Sequence, residues 1–308
     1  MRQVEERYIS LLTDFGFKRI FGTAMNKDLL ICFLNSLFDG KQVVKDVSYL
    51  NPEHVGDVYT DRRAIFDVYC EGENGEKFIV EMQNAYQAYF KDRSLFYSTF
   101  PIREQAPKGN DWDFKLNHIY TVALLNFNMN EDAFDKEKIR HHVQLCDTAT
   151  PKVFYDKLEF IYVEIAKFDK TLEELNTLYE KWLYALKNLY KLTQRPKELC
   201  DKVFDRLFEE AEIAKFTPQE MREYEASKKA YRDIKNSIDT AKQEGLAEGI
   251  EIGMEKGMKQ GMEKGRAEGK HEANTETAQR LLAMGLSAEQ VAKATQLPLE
   301  IIKNLSNS

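Results

Sequence analysis

The chain has 308 residues, which is enough for about two domains and a substantial hydrophobic core. Its net charge of -7 at pH 7 excludes a protein-wide basic field for nucleic acid, so any contact with DNA requires a local basic groove or a bound metal ion. The sequence predicts neither a membrane span nor a signal peptide, because no apolar run approaches the ~20 residues that a span needs and the first ten residues carry acids.

The cysteines and histidines favour neither a disulfide framework nor a metal site. No two of the four cysteines have CxxC spacing, which is typical of reduced thiols in a cytosolic protein. The five histidines include no HExxH motif, and the adjacent His141 and His142 would point in different directions on a helix or a strand. We therefore predict a cytoplasmic protein without a histidine-held metal.

Residues 1–170 alternate between helical and extended patterns. Residues 8–39 predict helix, with Thr13 and Asp14 as candidate N-caps. Two alternating, β-rich runs on either side of Gly75 predict a hairpin. A helical run follows, and the two continuous apolar runs after it suit strands that are buried on both faces. These patterns predict an α/β fold with a central mixed sheet flanked by helices.

The rest of the chain predicts helices. Residues 171–240 form a predicted helical subdomain packed on the core. From Gly245 to Gly269 a glycine recurs every fourth residue, and these seven glycines would cost a lone helix roughly 7 kcal/mol. Segment 241–272 is therefore either a soluble helix that packs closely on a partner through its glycines or a pliable tether.

The last segment, residues 273–308, resembles a small helix-turn-helix in the spacing of its apolar and small residues. Ser287 is placed to cap a helix that runs to Thr295, and a turn at Leu297 and Pro298 leads into a second short helix. The alternative is a small helical hairpin that caps the chain or dimerises.

The turn of the predicted hairpin decides whether Asp67 and Glu81 meet. Strict alternation puts Asp67 on the face opposite Phe66. A two-residue turn would place the two acids on opposite faces of the hairpin. A three-residue loop from Glu73 to Gly75, with Gly75 in the left-handed region, would place them directly opposite each other. The sequence alone leaves both turns open.

Facing carboxylates would point to a divalent cation. Two like charges directly opposite each other are destabilising without a counter-charge. Oxygen ligands without His or Cys favour Mg²⁺ or Mn²⁺, and such an ion can activate water and stabilise charge on a phosphodiester. The alternative is an ordinary hairpin that carries Asp67 and Glu81 on its solvent-exposed face.

Several segments carry a resemblance to a known family. They are TDFGFKRIFG, DRRAIFDVYCEGENGEKFIVEMQ, KWLYALKNL, AEIAKF and the glycine-repeat tail. With these segments the chain resembles the PD-(D/E)XK nuclease family transposases, which are grouped with recombination-promoting nucleases. The resemblance implies a restriction-endonuclease-like core, endonucleolytic hydrolysis of DNA that depends on Mg²⁺ or Mn²⁺, and a link to transposition or recombination.

The family motif can be carried over residue by residue. Asp67 and Glu81 would hold the metal, with the backbone carbonyl of Met82 as a further ligand. Gln83 stands where the motif has a lysine. A glutamine can orient water and donate neutral hydrogen bonds, but it supplies no positive charge.

Further charged residues are candidates around this motif. Four could contact phosphate, namely Arg62, Arg63, Lys91 and Arg93. Lys91 or Arg93 could also replace the missing lysine, and Asp14 could be an additional acid. The alternatives are solvated helix charges for Lys91 and Arg93, an N-cap for Asp14, and a surface ion pair between Asp61 and Arg62.

The sequence therefore predicts a cytoplasmic endodeoxyribonuclease with DNA as its partner and no small-molecule cofactor. It also predicts a homo-oligomer through the helical tail, as in a coiled coil. One alternative is a catalytically weak or inactive nuclease-fold protein that binds DNA or assembles, for which Gln83 and the acidic net charge are the reasons. Another is a scaffold whose glycine-repeat tail drives oligomerisation.

Overall fold

The computed structural model describes residues 6–54, 64–106, 113–129 and 135–306. The chain divides into two compact units, residues 1–238 and 239–308. The first unit combines a β-sheet with helices, and the described part of the second unit is helical. The domain boundaries expected near residues 170, 240 and 272 stay predictions.

A six-stranded mixed sheet lies at the centre of the first unit. In chain order the strands are β1 Val47–Tyr49, β2 Glu53–His54, β3 Ala64–Ile65, β4 Val68–Gly72, β5 Lys77–Gln83, β6 Ile119–Leu125, β7 Arg140–Cys146 and β8 Val153–Glu164. The sheet order is β1-β4-β5-β6-β8-β7, with β5, β6 and β8 parallel and the other neighbours antiparallel. Strands β2 and β3 pair separately.

Helices flank this sheet and continue after it. In chain order they are α1 Asp14–Phe21, α2 Lys27–Phe38, α3 Phe90–Glu104, α4 Leu178–Asn188, α5 Lys202–Glu210, α6 Pro218–Ala283, α7 Ala288–Thr295 and α8 Leu299–Ser306. The α/β architecture predicted from the sequence, a mixed sheet with flanking helices followed by helices, is confirmed.

The single helical region expected over residues 8–39 is two helices. Thr13 is the N-cap of α1, where its hydroxyl accepts a hydrogen bond from the Gly16 N–H. Gly22 ends α1 by donating its N–H to the Lys18 carbonyl, and a short 3₁₀ turn leads into α2. Asp39 caps the end of α2 in the left-handed conformation, so the helix ends at Phe38.

The two faces of the sheet bury different helices. From β5, Phe78, Val80 and Met82 point into the main core with α1, α2, α4 and α5, where Trp182 also lies. Ile79 points to the opposite face, where it packs near α3. Strict alternation along β5 therefore directs Glu81 and Gln83 to the face of α3.

Strand β7 is not predicted from the sequence. It lies at the edge of the sheet against β8, and most of its side chains are exposed, so no apolar run marks it. The prediction that the adjacent histidines point different ways is confirmed on this strand. His141 Nε2 lies 2.8 Å from Glu164 Oε1, whereas His142 contacts Glu159.

The second unit contains the end of α6 together with α7 and α8. The glycine-repeat segment is continuous helix. Its expected packing on a partner through the glycines stays a prediction. Each of its glycines faces open space, because beyond the neighbouring helix backbone no atom of the described residues lies within 4 Å of where a Cβ would be. Ser287 caps α7 as predicted. Within the described part of the chain, no helix combines the length and apolarity needed to cross a bilayer.

Candidate active site

The hairpin formed by β4 and β5 has the register that brings the two predicted acids together. Val68 pairs with Val80, so the next pair outward along the hairpin is Asp67 and Glu81. Both acids lie at the end of the hairpin remote from its loop. The register therefore places the carboxylates on one face, which the sequence had left undecided.

The loop that sets this register runs from Glu73 to Gly75. Gly72 closes it by donating its N–H to the Glu76 carbonyl at 2.8 Å. Gly75 has φ +81°, and a Cβ there would lie 2.4 Å from the side-chain nitrogen of Asn117. Glycine is suited to this left-handed position because it carries no Cβ. The three-residue loop is the correct alternative, and the two-residue turn is excluded.

Three hydrogen bonds connect the predicted site residues. The Asp67 N–H donates to Glu81 Oε1 at 3.2 Å, and the Met82 N–H donates to Asp67 Oδ2 at 2.8 Å. The Gln83 side-chain nitrogen donates to Glu81 Oε2 at 3.1 Å. The structure therefore brings Asp67, Glu81 and Gln83 into one group. Met82 joins it through its backbone N–H, and a ligand role for its carbonyl stays a prediction.

A bend in the chain at Asp67 lies between β3 and β4. Because of this bend, Phe66 does not point away from the α3 face, as strict alternation had predicted. It is buried with Tyr69, Ile79 and Phe100 on that face. This aromatic cluster covers the sheet next to the two acids.

Burial makes the two carboxyl groups difficult to ionise. It raises the pKa of Asp67, against the Met82 N–H and the Lys18 charge, which lower it. Burial and then the Asp67 charge raise the pKa of Glu81 to about 8. The charge of Arg93 opposes both shifts. Any added positive charge would therefore lower the pKa of both carboxyl groups and favour their ionised forms.

Lys18 is a site residue that the sequence analysis missed. Its Nζ lies 2.7 Å from Asp14 Oδ1 and 3.7 Å from Asp67 Oδ1. The N-cap alternative for Asp14 is wrong, because Thr13 caps α1 and leaves Asp14 to pair with Lys18. The four-residue spacing of Asp14 and Lys18 was the available signal, since it puts both on one face of a helix.

Helix α1 is held beside the end of β5 by a polar link. Asn84, which follows β5, donates its side-chain N–H to the Leu12 carbonyl at 2.7 Å. Leu12 lies just before the N-cap of α1. This link accounts for the closeness of Lys18 to the acids, although they are far apart in the sequence.

Arg93 approaches the acids from α3. Its guanidinium lies over the rings of Phe90 and Tyr97, and Nη1 donates to Gln87 Oε1 at 2.6 Å. Its Nε and Nη2 are buried without a hydrogen-bond partner among the described residues. Lys91, two positions earlier on the helix, is exposed. Both stay candidate phosphate contacts, whereas Arg62 and Arg63 lie outside the described residues.

The donor chemistry of Asp67 and Glu81 fits a hard divalent cation. Glu81 is buried and Asp67 is half-buried, and burial followed by the Asp67 charge raises the pKa of Glu81, which a cation between the two carboxylates would offset. Within the described ranges, no cluster of three or more His, Cys, Asp or Glu side chains could hold a metal. A pair is sufficient for Mg²⁺, which usually keeps several waters and binds through one or two carboxylates together with substrate phosphates.

Comparison with known proteins identifies a family that this chain matches. The family described as PD-(D/E)XK nuclease family transposase matches residues 11–241 of this chain. Searches among curated proteins and among solved structures found no match. The matched span includes α1, the whole sheet and the paired acids of the β4–β5 hairpin, and its mixed sheet with flanking helices is consistent with a restriction-endonuclease-like fold. The chain belongs to the PD-(D/E)XK nuclease family transposases.

Proposed function

We propose that this protein is an endodeoxyribonuclease that requires Mg²⁺ or Mn²⁺ and hydrolyses phosphodiester bonds during transposition or recombination. The observation that carries the proposal is the pair of half-buried Asp67 and buried Glu81, joined across the hairpin by the Asp67 N–H at 3.2 Å from Glu81 Oε1. Family membership makes DNA the expected substrate.

Each residue of the site has a role in this proposal. Asp67 and Glu81 would hold the ion, which when bound would supply an acidified water and a positive charge at the phosphodiester. Gln83 orients Glu81 through its side-chain amide N–H. The side-chain oxygen of Gln83 remains able to accept a hydrogen bond from the attacking water. Arg93 adds positive charge that attracts the DNA backbone to an otherwise acidic protein.

We further propose that the protein forms a homo-oligomer through its helical tail and acts in the cytoplasm without a small-molecule cofactor. Five exposed apolar residues at four-residue spacing on α6 support the association, namely Leu246, Ile250, Met254, Met258 and Met262. The four cysteines are free thiols, which suits a reducing compartment.

Cleavage of supercoiled plasmid tests the nuclease proposal. Wild type, Asp67→Asn and Glu81→Gln are compared in Mg²⁺, Mn²⁺ and EDTA. Glu71→Gln, which changes a half-buried acid on the neighbouring strand β4, is the matched control. We expect metal-dependent nicking by wild type and control, and a loss of at least about 100-fold in both site variants. Wild-type rates in a folded Asp67→Asn protein would refute the site assignment.

Gln83 favours a second candidate function, because it lacks the positive charge of the motif lysine and donates its side-chain N–H to Glu81. In that case the protein is a nuclease-fold module that binds DNA or assembles without cutting it. Fluorescence anisotropy with labelled duplex DNA in EDTA tests this alternative. Binding by a folded wild-type protein that leaves plasmid intact in both metals would favour it over the nuclease.

A further inference from the structure

We propose that Lys18, reaching the site from α1, supplies at the scissile phosphate the positive charge that the family motif places at position 83, and that Asp14 is its positioning residue. This proposal rests on the nuclease function proposed above and names the cation of that site. It assigns a function to a helix that contributes nothing to the motif itself.

Position 83 does not provide this charge. Gln83 is neutral, and its only hydrogen-bond donor group is directed at Glu81 Oε2, 3.1 Å away. Position 83 itself therefore supplies no cation to a phosphate oxygen that develops negative charge during hydrolysis. The charge must come from another element that reaches the two acids.

Lys18 has the geometry for this role. Its Nζ is 2.7 Å from Asp14 Oδ1, which engages one of its three donors. The 3.7 Å separation from Asp67 Oδ1 is too long for a hydrogen bond, so Asp67 attracts the ammonium without occupying a second donor. The side chain is 40% exposed, which leaves the ammonium accessible to DNA.

Asp14 and the start of α1 hold this ammonium in place. Asp14 is the first residue of α1, one turn from Lys18, and the Thr13 cap orders that turn. Asp14 acts on the reaction through Lys18, so its loss should weaken the placement of the charge without removing it.

The other described cations near the site are less suited to a phosphate. Arg93 has its Nε and Nη2 buried, and its Nη1 donates to Gln87 Oε1 at 2.6 Å. Arg19, next to Lys18 on α1, donates to the Glu210 carbonyl at 3.1 Å and pairs with Glu220. Among these three, Lys18 is therefore the cation that combines exposure with closeness to Asp67.

The closing experiment measures plasmid cleavage and metal binding separately. The variants are Lys18→Met, Lys18→Arg, Asp14→Asn and the double variant Lys18→Met with Gln83→Lys. Lys27→Met is the matched control, because Lys27 has a similar exposure of 44% and a comparable ion pair, with Asp46. Mn²⁺ affinity is measured by calorimetry on the free proteins, and folding by thermal unfolding.

We expect Lys18→Met to lower kcat by about 100-fold, as the loss of a charge-stabilising group does, and Lys27→Met to leave it unchanged. Lys18→Arg should retain more activity than Lys18→Met. Asp14→Asn should lose less activity than Lys18→Met does. The double variant should recover at least about tenfold over Lys18→Met. Mn²⁺ should bind Lys18→Met several-fold more tightly, because a competing cation is gone.

Tighter metal binding together with slower cleavage is a combination that a merely structural role would not produce. Cleavage by folded Lys18→Met within about twofold of wild type would overturn the proposal. So would a double variant no more active than Lys18→Met, because the two positions would then not be equivalent. Absence of cleavage by wild type would instead overturn the nuclease function, and the assignment of Lys18 with it.

Discussion

The hydrogen bond from Gln83 to Glu81 connects two neighbouring residues of one face of β5. Removing the amide in Gln83→Ala would free the Glu81 carboxylate to rotate. Groups that orient a metal-binding carboxylate typically contribute 10- to 100-fold to metal affinity or activity, so we expect a loss of about that size in Mn²⁺ affinity. Calorimetric titration of Mn²⁺ measures it, and an unchanged affinity would contradict the orienting role.

The pH dependence of stability should report the buried acids. Because their pKa values are raised, the native state keeps protons that the unfolded chain releases, so unfolding becomes easier as pH rises. We expect the free energy of unfolding of the metal-free protein to fall between about pH 4.5 and about pH 8. Glu81→Gln should flatten this fall, as measured by urea unfolding across that range. Equal slopes in both proteins would contradict the prediction.

The affinity for metal should depend on the same two acids, and it should rise with pH whereas the free energy of unfolding falls. Protonated carboxyl groups do not bind Mg²⁺ or Mn²⁺, so affinity should increase as Asp67 and Glu81 ionise. A saturating ion, at about 100 times its Kd, would add about 2.7 kcal/mol to the free energy of unfolding. Added metal would thus offset at high pH the stability that the free protein loses.

Among the elements, the loop of the β4–β5 hairpin has the greatest influence on the site. Gly75→Ala would force a Cβ into the left-handed region at φ +81°, at a cost of about 1–2 kcal/mol. Gly40→Ala is a matched control, because Gly40 has φ +79° and open space around it, outside the hairpin. Urea unfolding should show a loss of stability in both variants, and a larger one in Gly75→Ala, whose Cβ would also lie 2.4 Å from the Asn117 side-chain nitrogen.

Cleavage should distinguish these two glycine variants. Only Gly75→Ala strains the loop that holds Asp67 opposite Glu81, so only that variant should lose nuclease activity beyond its loss of stability. Equal activities at matched folded fractions would mean that the loop does not control the register of the acids.

The elements also show where sequence patterns are informative. Continuous apolar runs revealed β6 and β8, because strands buried on both faces need apolar residues throughout. The edge strand β7 went unrecognised, because its exposed side chains carry no such pattern. The split between α1 and α2 was also missed, although Gly22 follows the first apolar run and the second begins only at Leu29.

For the whole molecule, the helical tail is the expected site of self-association. Removing residues 239–308, which form the second unit, should convert an oligomer into a monomer. Multi-angle light scattering of the full chain and of a chain that ends at Ile238 measures this change. Met258→Glu, in the exposed apolar row of α6, should weaken the association without shortening the chain. The same number of chains per particle for all three proteins would contradict a tail-mediated oligomer.

The sequence by itself determined the fold class and the hairpin, because periodicity and turn residues are local properties of the chain. The resemblance to the family pointed to Asp67 and Glu81, and only the register of the folded hairpin brought them together. Tertiary structure decided which charged residues join them. Lys18 lies near Asp67 only because α1 packs beside the end of β5, while Lys91, nearer in sequence, is exposed. Such proximity depends on the packing of elements that are distant in the chain, which no local pattern encodes.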